Sequence, residues 1–241
     1  MATLEDDPLG AGAATLGGSG GMLTLPVYLE LGAVGLGALS GALHALRREL
    51  DAMAVLALSI CTSVGGGMLR DVLLGQTPAA LRSSRYLLAV GACAVLAVLF
   101  APWLSRLHRA LDVVDALLLG MWVVLGLEKA LAFQLPLPSA VFLGLVTSVG
   151  GGVIRDVLLG ERTALVSPGE LYATVALLCG LLYVALAVGL KLPAPLAEAA
   201  AIAGASLLRL TAMWRRWRLP HRFDLLQLLD RIQARRPRGP P

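Results

Sequence analysis

The chain has 241 residues, of which 57% are hydrophobic and only 15% charged; its mean hydropathy is +0.78 and its formal net charge +4. Soluble domains run at about 45–50% apolar and about 25% charged, so this composition excludes an ordinary water-soluble domain and describes a chain that lives in lipid. Lipid admits only helices and closed barrels, and the sequence lacks the alternating pattern of a membrane barrel, so the expected fold is an all-α multi-pass membrane protein.

Residues 1–24 are acidic and then rich in Gly and Ala. They carry no basic stretch ahead of the first apolar run, so they read as a flexible tail and not as a secretory signal. Seven apolar runs follow, each near the roughly 20 residues that a spanning helix needs. They cover residues 25–45, 52–75, 86–103, 113–133, 139–160, 171–190 and 195–213, with short polar loops between them. The corresponding organisation is a three-helix unit (25–110), a second three-helix unit (111–191), a seventh helix (192–213) and a basic tail (214–241). Cys61, Cys93 and Cys179 fall inside three different runs without metal-type spacing and read as small buried residues. His44, His108 and His221 lie in separate segments. No metal site, cofactor or enzymatic constellation emerges, and no Gly-Lys-Ser/Thr follows the glycines as a phosphate loop requires.

With seven spans the termini lie on opposite sides. Fourteen Lys and Arg residues fall on the side of the C-terminus and four on the other. This asymmetry predicts an outer N-terminus and a cytoplasmic C-terminus in the plasma (inner) membrane. The basic tail, with Trp214, Arg215, Trp217 and Arg218 ahead of an apolar stripe at helical spacing, reads as an amphipathic surface helix that touches anionic lipid; it is not a nucleic-acid footprint.

The second run contains TSVGGGMLRDVLLG from Thr62, and the fifth contains TSVGGGVIRDVLLG from Thr147; twelve of fourteen positions are identical at an offset of 85. The same offset pairs Glu30 with Asp115, Gly35 with Gly120, Gly41 with Gly126 and His44 with Lys129. A repeated unit with an odd number of spans must enter the membrane from opposite sides, which gives an inverted 3+3 repeat with one helix left over. Such repeats are typical of transport proteins, with the pathway at the repeat interface.

Gly65, Gly66, Gly67 and Gly150, Gly151, Gly152 each cost a helix about 1 kcal/mol relative to Ala. One reading is a break that frees carbonyls for a dehydrated monovalent cation, or N–H groups for an anion. The plain alternative is close helix packing. Ser63 and Ser148 sit where their hydroxyls could serve such a break. Arg70, Asp71, Arg155 and Asp156 follow each triplet. Since neighbouring helix residues do not face each other, one solution pairs Arg70 with Asp156 and Arg155 with Asp71; another has each Asp brace its own helix; a third has the charges meet the permeating species. Glu30, Asp115 and Lys129 join these as pathway or bracing charges. Asp51 and Glu128 read as residues reaching the interface, and Glu198 as interfacial.

The paired GGG-x-x-R-D-x-L-L-G motifs, one per three-helix unit, resemble those of the bacterial trimeric intracellular cation (TRIC) channels, a family also known as the glycine transporter domain family. The resemblance covers roughly residues 25–213. It implies a homotrimer of seven-helix subunits, each with its own potassium-permeable pore lined by glycine-kinked second and fifth helices. It brings no cofactor beyond the permeant cation. Glu30 stands where the family often has Asp. A secondary transporter of a small zwitterion such as glycine is the second expectation, because broken helices could hold both of its charges.

Overall fold

The computed structural model describes residues 27–100, 108–163, 165, 171–215 and 217. The expected N-terminal tail and the amphipathic segment beyond Trp217 lie outside them. Among the described residues the chain is all helix: α1 (Val27–Arg47), α2 (Ala52–Leu73), a single turn α3 (Ala79–Arg82), α4 (Ser84–Leu99), α5 (His108–Ala132), α6 (Leu137–Leu158), α7 (Tyr172–Val184, continued by a π-helical turn Ala185–Gly189) and α8 (Ala194–Trp214). Each of the seven apolar runs holds one of the long helices. Four of them, α2, α6, α7 with its π turn, and α8, are long and apolar enough to cross a membrane, and α4 is a shorter apolar helix. Val72, Leu88, Leu99, Phe142 and Leu207 point outward from the bundle. That apolar exterior suits lipid, since water-soluble monomers rarely leave large apolar areas bare.

Helix boundaries follow local chemistry. Asp51 caps α2, its carboxylate accepting the Ala54 N–H at 2.8 Å. This is an N-cap and not a residue reaching for the interface, and it satisfies one of the helix's orphan donors. Pro136 and Pro193 stand immediately before α6 and α8. The last glycine of each motif ends its helix: Gly75 and Gly160 both adopt φ +66°. Gly75 N–H bonds Val72 O and Gln76 N–H bonds Asp71 O; Gly160 and Glu161 repeat this with Val157 and Asp156. Both ends are Schellman closures, whose left-handed residue favours Gly.

α5 is the axis of the bundle. One side, with Leu119, Val123, Val124 and Leu127, packs into a core shared with α6, α7 and α8; Leu118, Trp122 and Leu125 pack into a second core with α1, α2 and α4. A helix apolar around its circumference is a buried helix. The two halves pack alike. A Cβ on Gly41 would strike Leu58 and Thr62 of α2, and one on Gly126 would strike Gly144 and Thr147 of α6.

The expected interruption of the glycine helices is absent. α2 and α6 are continuous α-helices through Gly65–Gly67 and Gly150–Gly152. The triplets instead let the two helices touch main chain to main chain. A Cβ on Gly66 would land on the carbonyl oxygen of Thr147, and one on Gly151 on that of Thr62. The contacts 62–151 and 66–147 run in opposite senses, so the helices cross antiparallel at equivalent positions. Close backbone approach compensates the poor helix propensity of Gly. Ser63 and Ser148 serve no break either. Ser63 donates to Ser59 O within its own helix at 2.7 Å, and Ser148 donates to Leu119 O of α5 at 3.0 Å.

A candidate ion pathway between two charged clusters

The crossing divides the two triplets' work. The first two glycines of each face the partner helix: Gly65 meets Ile154, and Gly150 meets Leu69 and Gly66. The third turns away from it. The nearest foreign atom to a Cβ on Gly67 is Arg70 Nη2 at 3.8 Å; for Gly152 it is Arg155 Nη2 or the Tyr172 hydroxyl at 4.0 Å. Gly67 and Gly152 each line a cavity beside a charged cluster.

The first cluster gathers the end of α2, the start of α1 and α4, and the end of α5. Asp71 is its hub. Its Oδ1 accepts from Arg70 Nε and from Lys129 Nζ, both at 2.8 Å, and its Oδ2 accepts the Ala79 N–H at 2.9 Å, which pins α3. Arg70 also reaches Glu30 at 3.4 Å, and the Tyr86 hydroxyl donates to Glu30 at 2.7 Å. Arg70 is 2% exposed and Asp71 1%, whereas Lys129 is 32% exposed. Two cations thus balance two carboxylates, and the pair buries without net charge, as desolvation demands. The adjoining cavity is small, about 20 Å³ and bounded by Trp122, Val34 and Met68. That is room for about one water.

The second cluster sits at the end of α6. Arg155 donates to Asp156 Oδ1 through Nε at 2.9 Å and Nη2 at 2.7 Å. It faces a larger cavity of about 250 Å³, lined by His44 and Arg47 of α1, Asp112 and Asp115 of α5, Tyr172 of α7 and Arg209 of α8. The Arg209 guanidinium lies 4.8 Å above the Tyr172 ring, a cation–π arrangement. Arg48, on the turn after α1, bridges to Glu161 after α6. The two clusters therefore occupy opposite ends of the bundle. Each lies four to five residues past the crossing glycine, or roughly 6–7.5 Å along its helix.

These arrangements correct the expected pairing across the repeat. Arg70 binds Asp71 and Arg155 binds Asp156; the crossing is antiparallel, so it carries the two charged ends apart. An arginine is long enough to fold back along its own helix end, and the spacing rule for short side chains does not restrain it. The structure gathers Glu30, Arg70, Asp71 and Lys129 in one cluster and Asp115, Arg155 and Asp156 in the other. Tyr86, Tyr172 and Arg209 were not among the expected residues. The two tyrosines open the third helix of each half but are 86 residues apart, so a strict offset of 85 sets Tyr86 against Leu171 and hides the match. Arg209 lies in the unrepeated helix, and its only signal is an arginine inside an apolar run. Among the described residues no group of His, Cys, Asp and Glu is placed to hold a metal.

A helical bundle with a lipid-facing exterior and two balanced charge clusters inside is a membrane protein of polytopic type. The profile of the Glycine transporter family matches residues 27–102 and again 112–188, once per half, and the chain belongs to that family. A UPF0126 membrane protein of Deinococcus radiodurans is 38% identical over 151 residues, which cover 62% of this chain and 70% of that protein. The UPF0126 inner membrane protein YadS of Escherichia coli K12 is 31% identical over 81% of this chain and 94% of its own. The fold is similar to that of a TRIC cation channel whose structure was solved to explain conductance, with a TM-score of 0.73 and 29% identity over 83% of this chain and 98% of that one. It is also similar to a TRIC trimeric intracellular cation channel orthologue from Rhodobacter sphaeroides, with a TM-score of 0.72 and 34% identity over 78% and 97%.

Proposed function

We propose that this protein is a channel for monovalent cations, potassium first among them, with one pathway in each subunit. The likeness to solved TRIC cation channels along nearly their whole length carries the reading. In this reading the seven long helices all span the bilayer, as two inverted three-helix units (25–110 and 111–191) followed by a seventh helix (192–213). The N-terminus is outside and the C-terminus cytoplasmic. The route enters at the larger cavity, passes Gly152 and the α2–α6 crossing, and leaves past Gly67 and the Asp71 cluster. Gly65, Gly66, Gly150 and Gly151 hold the crossing together; beside it Ser148 fastens α6 to α5, while the Ser63 hydroxyl is satisfied within α2. Arg70, Asp71, Glu30 and Lys129 at one end, and Arg155, Asp156 and Asp115 at the other, set the field along the route. Balanced charge at each end leaves water, not a fixed counter-ion, to accompany the cation. By analogy with the Rhodobacter sphaeroides orthologue, described as trimeric, the assembly is a homotrimer. The basic tail binds anionic lipid, and no cofactor takes part.

Purified protein in a planar bilayer under a potassium chloride gradient tests this. Unitary currents that reverse near the potassium equilibrium potential are expected. The family's description as a glycine transporter favours a second reading. Saturable flux of labelled glycine without unitary current would replace the channel by that reading.

A further inference from the structure

A third group of polar side chains, with Tyr183 and Glu198 buried and Glu128 half-buried, lies where the ends of α5 and α7 meet the start of α8. Tyr183 donates its hydroxyl to Glu128 Oε1 at 2.8 Å. Glu198 reaches the same carboxyl from α8; it is 7% exposed, and its buried Oε1 has no hydrogen-bond partner. Among the described residues no salt bridge reaches Glu128 or Glu198. The repeat does not call for this arrangement. The residue equivalent to Glu128 in the first half is Leu43, fully buried in its core, and Glu198 belongs to the unrepeated helix. Two residues past Tyr183 the helix loosens into the π turn Ala185–Gly189, a feature frequent at functional sites.

We propose that Glu128 and Glu198 are a proton-binding pair: two carboxyl groups that share one proton inside the bundle, anchored by Tyr183. Two ionised carboxylates here would set two acceptors face to face, with the Tyr183 hydroxyl donating to Glu128 alone. They would also bury two like charges without a counter-ion, which low dielectric forbids. One proton turns one acceptor into a donor and leaves a single charge spread over the pair. A proton needs no space. A hydrated metal cation does, and neither cavity of the candidate pathway is lined by Glu128 or Glu198.

The test is infrared spectroscopy of the purified protein in lipid at neutral pH in heavy water. A carbonyl band of a protonated carboxylic acid is expected, and it should be lost in both Glu198→Gln and Glu128→Gln. In Tyr183→Phe the band should persist but shift, because Glu128 loses its donor. Glutamine mimics the protonated acid in size, so both Gln variants should melt no lower than wild type, which separates loss of the proton from loss of the fold. A band of unchanged intensity in either Gln variant, or no such band in wild type, overturns the pair. Carboxylate bands that move when choline replaces potassium, in wild type but not in Glu198→Gln, would make the occupant a metal cation and also overturn it. None of these outcomes depends on whether the protein conducts.

Discussion

At the scale of single residues the three glycines of each motif are not equivalent, and substitution should sort them. Gly66→Ala and Gly151→Ala drive a methyl into a carbonyl of the opposing helix. Main chain cannot swing aside as a side chain can, so each should cost about 1–3 kcal/mol, the usual range for overpacking, seen as a lower melting temperature in detergent. Gly67→Ala and Gly152→Ala meet only the far ends of flexible side chains. They should melt at or above wild type, because Ala favours the helix, while altering unitary conductance; unchanged conductance in both would remove the third glycines from the pathway. Asp71 accepts from two cations and a main-chain N–H. Asp71→Ala strands a buried Arg70, at a cost of about 3–5 kcal/mol, the range for breaking a buried pair. Lys129→Ala, which removes a partly exposed partner, should cost less by the same melting assay. The importance of these residues was legible, because twelve matches in fourteen positions do not recur by chance. Their partners were not legible. Sequence spacing gives the direction of a Cβ, but the reach of an arginine beyond its Cβ depends on what the rest of the fold leaves open.

At the scale of helices, starts and stops follow rules that a sequence carries openly. Asp51, two residues after a left-handed Glu49 at φ 54°, opens α2. Asp51→Ala should lower stability by about 1 kcal/mol through the lost cap, measured by thermal melting. The Leu-Leu-Gly ending of both motifs was available as a helix stop and explains why each copy keeps its fourth glycine. The continuity of α2 and α6 was harder to foresee. Three successive glycines weaken a helix in isolation, and only the partner backbone supplies what they lack. That partner lies 85 residues away, and no local propensity records it. The two tyrosines show the same limit from another direction: one extra residue in the second half displaced the match, although each tyrosine lines the cavity beside its cluster.

At the scale of the whole molecule, the contacts fix which turns share an end. Arg48 and Glu161 join the turns after α1 and α6, while Lys129 and Asp71 join the ends of α5 and α2. The turn at Glu49 and the turn at Gln134 therefore lie at opposite ends of the bundle, although the repeat makes them equivalent and both residues have positive φ. If the chain spans the bilayer as proposed, Glu49→Cys and Gln134→Cys should react with a membrane-impermeant maleimide from opposite faces of sealed vesicles, above the background of the three native cysteines. Labelling of both from one face would refute the inverted arrangement. The Arg48–Glu161 bridge is itself exposed, so Arg48→Ala should change melting stability by less than about 1 kcal/mol.

The α2–α6 crossing ties the fates of the two halves together. The side chain missing from Gly66 makes room for the backbone at Thr147, and the one missing from Gly151 makes room for the backbone at Thr62. If a single three-helix unit had to build this contact by pairing with an upside-down copy of itself, one substitution would wound both sides at once. Fusing two copies into one chain separates those injuries. Either glycine can then be tested by mutation alone while its twin stays intact, yet neither half can repair the other, because what collides is backbone that every sequence shares.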